Sequence, residues 1–192
     1  MAGSRLDRRV QRTHRVLQEA LASLIIERGW DDVSVQDICD RADIGRSTFY
    51  KHFSGKEKLL ASSLENSRQE IRMQQSGNKA SKNASLPFAR GMLEHAYKYQ
   101  REFRSIGKRS GYVVQRHVRE MIISMVKEDL AAFAPLGWRY DATAHYIAGA
   151  FVELLTWWME ARRPQQTADI EMLFDRLTTS AMRQLREMTS CD

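Results

Sequence analysis

The stretch Arg46-Ser47-Thr48-Phe49-Tyr50-Lys51-His52-Phe53 holds the side chains best able to do chemistry in this sequence. Wound as a helix, it places Phe49 and Phe53 at i and i+4, and both must face inward with Ile38, Ala42 and Ile44. Arg46, Ser47, Tyr50 and Lys51 then share the opposite side, with Thr48 and His52 on its flanks. That side is long-reaching and polar and carries no acid. Reading a DNA major groove needs such a surface: a guanidinium forks onto guanine, while hydroxyls and an ammonium bond bases or phosphates. Lys56, at the start of the next helix, adds a cation beside free backbone N–H groups, where one phosphate can be held. A merely solvated helix face can show the same charge. The decision rests on the elements around it.

Those elements have the proportions of a helix-turn-helix: a short helix from Val35, a turn at Ala42-Asp43-Ile44-Gly45, and a second short helix from Arg46 to Phe53. Ser34 with Asp37 is a capping signal that places an acid in the first turn. Ahead of it, Val16, Leu17, Ala20, Leu21, Leu24 and Ile25 trace one buried face of a helix that Gly29 ends. After it, Ser54-Gly55-Lys56-Glu57 reads as a second capping box and opens a helix towards Ser76. Residues 77–85 (GNKASKNAS) are small and polar and read as a flexible connection. Further helices are expected from Pro87 to Gln100, briefly around Phe103 to Ile106, and from Gly111 to Phe133. Asp141 is expected to cap one that stops before Pro164, and Thr167 a last one to Met188. No segment alternates with period two. The fold class is all-α: an N-terminal three-helix helix-turn-helix domain (residues 1–58) and a C-terminal helical bundle (59–192), with the fourth helix bridging the two.

Composition narrows the function. The 192 residues carry 30 Lys+Arg against 24 Asp+Glu, a net charge of +6 that allows nucleic acid as a partner. Only 10 Gly and 3 Pro argue against turn-rich β and disordered chains. Cys39 and Cys191 suit a reducing, cytoplasmic setting, Cys39 as a small core residue. No window approaches a membrane span, and no secretory signal follows the basic start. A phosphate loop, a nucleophile elbow and a metal-ligand pattern among the five histidines are all missing. No enzyme, cofactor or metal is therefore expected. Arg5, Arg8, Arg9, Arg12 and Arg15 form a basic arm that either reaches DNA or is a disordered, solvated tail. Arg12 is its best candidate for a backbone contact.

Gly29-Trp30-Asp31-Asp32-Val33-Ser34-Val35, Asp37-Ile38-Cys39, Ala42, Thr48-Phe49-Tyr50-Lys51-His52-Phe53 and Lys56-Glu57-Lys58-Leu59 together resemble the N-terminal domain of TetR/AcrR-type transcriptional regulators over residues 12–60. The resemblance implies a homodimeric regulator, most simply a repressor, on a palindromic double-stranded operator, with a small-molecule effector pocket in the C-terminal domain. It places Thr48, Tyr50, His52 and Lys56 on phosphates and Arg46, Ser47 and Lys51 nearest the bases. Three positions depart from the pattern. Cys39 stands for a small Ala, Asp43 for the turn Gly, and Gly45 for the capping Ser; Asp tolerates the left-handed conformation and Gly caps weakly.

In the C-terminal half, Ala144, Ile147, Ala148, Phe151, Leu155 and Trp158 form an apolar stripe that Tyr146, Ala150, Leu154 and Trp157 widen. The family architecture pairs the last two helices with their copies in a partner. Leu154, Leu155, Trp158, Phe174, Leu177 and Ala181 are the dimer candidates, with intramolecular core as the alternative. Glu153 interrupts the apolar run and would bind an effector, pair with a base such as Arg116, or reach solvent. Phe103, Tyr112, His117, Met121, Glu153 and Trp157 are the effector-binding candidates. Lys98, Arg101, Arg104, Lys108, Arg109, Arg116 and Arg119 form a basic cluster, read first as a solvated face. A DNA-organising protein without an effector, and an interaction module that no longer reads DNA, are the competing functions. The first predicts little sequence preference; the intact cationic face counts against the second.

Overall fold

The computed structural model describes residues 2–76, 86–100, 104, 111–131, 137–161 and 165–189. Phe103, Cys191 and the basic residues Arg101, Lys108 and Arg109 lie outside them, as does the connection 77–85. The described residues are mostly helical, with no strand among them. The helices are α1 (Ala2–Arg28), α2 (Val35–Ala42), α3 (Arg46–His52), α4 (Lys56–Ser76), α5 (Pro87–Lys98), α6 (Gly111–Leu130), α7 (Trp138–Glu160) and α8 (Thr167–Thr189).

The chain forms two compact units. The first comprises Met1–Asn66 with Ser105–His117, the second Ser67–Arg104 with Val118–Asp192. Both α4 and α6 therefore contribute to each. The sequence reading divides the chain at 58/59, and nothing in it assigns the start of α6 to the first unit.

In the first unit, Leu17, Ala20, Leu21, Leu24 and Ile25 bury one face of α1, and Ile38, Cys39, Phe49, Leu59 and Leu60 join the same unit's core. Gly29, at φ 91°, ends α1 with its N–H on the Ile25 carbonyl at 2.9 Å. Only a residue without a Cβ enters that conformation freely. Arg41 of α2 reaches back to Glu27 of α1 through two hydrogen bonds of 2.7 Å, and Arg28 meets Asp37 at 3.1 Å. The basic arm is not a loose tail: α1 is one helix from Ala2, so Arg8, Arg9, Arg12 and Arg15 sit on a continuous rod, all exposed.

In the second unit, Phe88, Phe151 and Phe174 meet edge to face, with centroids 4.9–6.1 Å apart. Met92, Leu93, Met125, Val126, Ile147, Leu155 and Trp158 complete the core around them. Two acids tie α4 to α6. Glu128 takes Arg68 and Arg72, and the nearly buried Asp129 accepts Arg72 at 2.7 Å and the Phe88 N–H at 2.8 Å. Burial is the largest influence on Asp129 and raises its pKa. No described helix is long and apolar enough to cross a membrane.

Two helix starts differ from the sequence reading. The penultimate helix begins at Trp138, one turn before Asp141, because the Asp141 carboxylate is engaged by Lys127 at 2.6 Å and does not cap. Glu57 does not close a capping box on Ser54; its carboxylate meets Arg116 at 2.6 Å and His117 at 3.4 Å.

Candidate nucleic-acid interface

The turn that aims α3 is built from local chemistry. At the start of α2, the Ser34 hydroxyl accepts from the Asp37 N–H at 3.1 Å, and the Asp37 carboxylate accepts from the Ser34 N–H at 2.9 Å. The Ser34 hydroxyl also donates to the Asp37 carboxylate, and that bond first and the Ser34 N–H second hold the Asp37 pKa below its usual value. At the other end, Asp43 is left-handed (φ 52°, ψ 45°). Its N–H reaches the Asp40 carbonyl at 3.3 Å, and the Ile44 N–H reaches the Cys39 carbonyl at 3.0 Å. This pair of bonds is the Schellman closure, here without its usual glycine. Gly45 then caps α3 with its carbonyl on Thr48 and Phe49 N–H, at 2.9 and 3.1 Å, and supplies no side-chain bond.

Phe49 is 0% exposed and Phe53 7%, so α3 is pinned from behind as its spacing requires. Ser47, Tyr50 and Lys51 are exposed on the other side, Arg46 is exposed at the first residue of the helix, and Tyr50 has half its surface free. Thr48 and His52 are half-buried on the flanks. Arg46 lies 5.9 Å from the Tyr50 ring, a loose cation–π contact that leaves the guanidinium available. No carboxylate occupies this side of α3. It presents three kinds of donor to whatever lies against it: guanidinium, ammonium and hydroxyl.

Lys56 behaves otherwise than its position suggests. Its ammonium donates to the Trp30 and Val33 carbonyls, both at 2.8 Å, and sits 4.5 Å from the Trp30 ring centroid. Two of its three protons thus secure the loop before α2, and the phosphate role expected of Lys56 would fall to the third. His52 has a partner that the sequence did not announce. His14 Nε2 on α1 lies 3.3 Å from His52 Nδ1, and the His14 ring also packs against Phe53 at 4.7 Å. Burial first, and the charge of His52 second, lower the His14 pKa. Cys39 is buried, and burial raises its thiol pKa.

The effector candidates divide between the two units. Tyr112 and His117 belong to the first unit; Met121, Glu153 and Trp157 belong to the second. Tyr112 is 77% exposed, and His117 holds the Val113 carbonyl at 2.9 Å. Met121 packs against the second unit's core, whereas Glu153 and Trp157 are exposed. Glu153 therefore reaches solvent, and Arg116 is already paired with Glu57. The second unit does carry an open depression of about 540 Å³ lined by Glu120, Ser124, Lys127, Tyr140 and His145 among others, none of them a sequence candidate.

The dimer candidates divide. Leu155, Trp158 and Phe174 are buried within the single chain, so they have no surface to offer a partner and are corrected to core. Trp158 even satisfies its indole N–H internally, on the Gln165 carbonyl at 3.0 Å. Leu177 is 65% exposed, and Leu154 and Ala181 are half-buried. Of the basic cluster, Arg104 bonds the Met159 and Ala161 carbonyls at 2.7 and 2.9 Å, closing the end of α7.

A short capped helix, a Schellman turn and a second helix with a cationic outer side define a helix-turn-helix DNA-binding protein. Residues 17–62 match the family model described as bacterial regulatory proteins, tetR family. Over those residues the chain is similar to the helix-turn-helix domain of that family of transcriptional regulators. It is 37% identical over 67 residues to an uncharacterized HTH-type transcriptional regulator, YxbF, of Bacillus subtilis, covering 34% of this chain and 18% of that one. It is 31% identical over 91 residues to the dhaKLM operon transcriptional activator DhaS of Lactococcus lactis, covering 47% and 49%. These alignments span half or less of each curated relative. In fold, the chain is similar to a TetR regulator from Streptococcus agalactiae (TM-score 0.67, 22% identity, 91% and 98% of the chains). It is also similar to RolR solved with resorcinol (TM-score 0.57, 18% identity, 96% of each).

Proposed function

We propose that this chain is a cytoplasmic, homodimeric repressor that places α3 in the major groove of a palindromic operator and is released by a small molecule bound in its second unit. One observation carries the DNA assignment: Phe49 and Phe53 are buried while Arg46, Ser47, Tyr50 and Lys51 of the same short helix are exposed. Arg46, Ser47 and Lys51 then stand nearest the bases. Tyr50, Thr48 and His52 hold phosphates, and Arg12 on the α1 rod adds a backbone contact.

The partner would be a second copy, seated on the outer sides of α7 and α8. Tyr146, Ala150, Leu154 and Trp157 fall on one stripe, and Leu173, Leu177 and Ala181 on another, with exposed apolar area that a monomer has no use for. A dimer sets two α3 helices against half-sites about 34–36 Å apart. A ligand that moves α4, whose residues are shared between the two units, would spoil that spacing. Such coupling typically weakens DNA binding about 5–150-fold. RolR is a precedent for a phenolic ligand in this fold, and DhaS for activation instead of repression. The chemistry of the effector is left to screening.

Selection of operator sequences from random double-stranded DNA tests the proposal. Enrichment of a palindrome with half-sites one turn apart is expected. Binding with no sequence preference and a salt dependence that accounts for all of the affinity would replace it with a DNA-organising role.

A further inference from the structure

We propose that His14 is a positioning residue for DNA binding: its ring nitrogen holds Nδ1 of His52, so that Nε2 of His52 faces outward and presents an N–H donor to a backbone phosphate. The inference rests on the DNA-binding reading of α3. His14 Nε2 and His52 Nδ1 are 3.3 Å apart, and the rings meet edge to face with centroids 5.0 Å apart. The two nitrogens of an imidazole flank one ring carbon, and their outward directions diverge widely. With Nδ1 turned to His14, Nε2 of His52 must point away from α1, and His52 is only half-buried.

Two nitrogens at this distance share one proton. If His14 donates, neutral His52 carries its own proton on Nε2. If His52 donates, the protonated ring again has Nε2–H. Both arrangements turn a donor outward. The remaining one leaves Nε2 bare and repels a phosphate, so an anion at that position selects against it. Packing against Phe53 holds the His14 ring in place for this exchange, at 4.7 Å between centroids. The lowered pKa of His14 keeps it neutral, and so able to accept, when His52 gains the proton.

The experiment compares full-length wild type with His14→Leu, His14→Gln, His52→Ala, His14→Leu/His52→Ala and Tyr50→Ala on an operator selected from random DNA, with Kd measured across a salt series. Glutamine can place an amide near the position of the lost Nε2 and so keep the bond. His14→Leu is expected to weaken binding about 5-fold and His14→Gln less than about 2-fold. His52→Ala should flatten the salt slope by about one phosphate. The double variant should bind no more weakly than His52→Ala alone.

No loss in His14→Leu, or an equal further loss when it is added to His52→Ala, overturns the inference. So does a harmless His52→Ala, although Tyr50→Ala still weakens binding in that case and the DNA-binding reading survives. If Tyr50→Ala is harmless as well, the wider reading falls with it. Nitrogen-15 shifts of His52 in the wild-type operator complex give a readout independent of variant folding. A protonated Nε2 supports the inference, and a bare one overturns it.

Discussion

Lys56 holds Trp30 from two directions: its ammonium donates to the Trp30 carbonyl at 2.8 Å and lies 4.5 Å from the centre of the indole ring. A third contact, to the Val33 carbonyl, makes the side chain a clamp on the loop between α1 and α2. Lys56→Met keeps the stem and removes the charge, leaving the Val33 carbonyl without its donor and the Trp30 carbonyl with only the Val33 N–H at 3.3 Å. The expected cost is about 1–3 kcal/mol, read as a lower midpoint in chemical denaturation. Near-native stability together with a salt slope reduced by about one would instead return Lys56 to the phosphate contacts.

Glu27 carries the clearest electrostatic signature. Hydrogen bonds from Arg41 are the largest cause, helped by Ser23, and hold its pKa at about 2. A carboxylate whose folded pKa is depressed adds stability that is complete above its unfolded value, near 4.5. That contribution is lost as pH falls from there towards 2. Wild type should therefore lose thermal stability across this window more steeply than Glu27→Gln, whose α1–α2 contact no longer titrates. Parallel melting curves for the two proteins between pH 5 and 3 would count against the link.

Local chemistry made much of the helix-turn-helix legible. Ser34 and Asp37 cap each other across three residues, and Asp43 takes the left-handed turn its short side chain tolerates. Phe49 and Phe53 face inward because four residues make about one helical turn. What stayed illegible depends on distant partners. Glu57 looks like a cap until Arg116 claims it, and nothing near Lys56 in sequence announces the Trp30 carbonyl it bonds. His14 shows no pattern at all, since its role exists only once α1 lies against α3. Periodicity found the apolar faces of α7 and α8, but it cannot say whether the neighbour of an apolar residue belongs to the same chain. Trp158 is buried within the chain and Leu177 is exposed, although both sit on the apolar faces of one helix pair.

Gly45 is a weak cap with room to improve. Its φ of −63° and ψ of 142° suit an ordinary residue, and a Cβ there would meet nothing within 4 Å. Gly45→Ser should add a side-chain acceptor for the first turn of α3 and raise stability by a few tenths of a kcal/mol. A thermal midpoint that rises by about one degree, with operator affinity unchanged or better, is the expected result. A fall in the midpoint would mean that the hydroxyl does not reach the α3 N–H groups.

The division between core and interface on α7 and α8 makes the sharpest contrast. Phe174 is 2% exposed and packs edge to face on Phe88 and Phe151, whereas Leu177, less than one turn further along α8, is 65% exposed. Phe174→Ala empties a cavity in the second unit and should cost about 3–5 kcal/mol, enough to threaten folding. Leu177→Glu puts a charge on surface already in water, so the monomer should lose little, yet a partner's apolar helix would have to desolvate that charge. Sedimentation velocity at micromolar concentration should show Leu177→Glu as a folded monomer with wild-type helix content by circular dichroism. Its operator affinity should fall sharply, because each α3 then binds a half-site alone. A Leu177→Glu protein that still sediments as a dimer would move the partner to another face, and the half-site spacing would have to be derived again from that face.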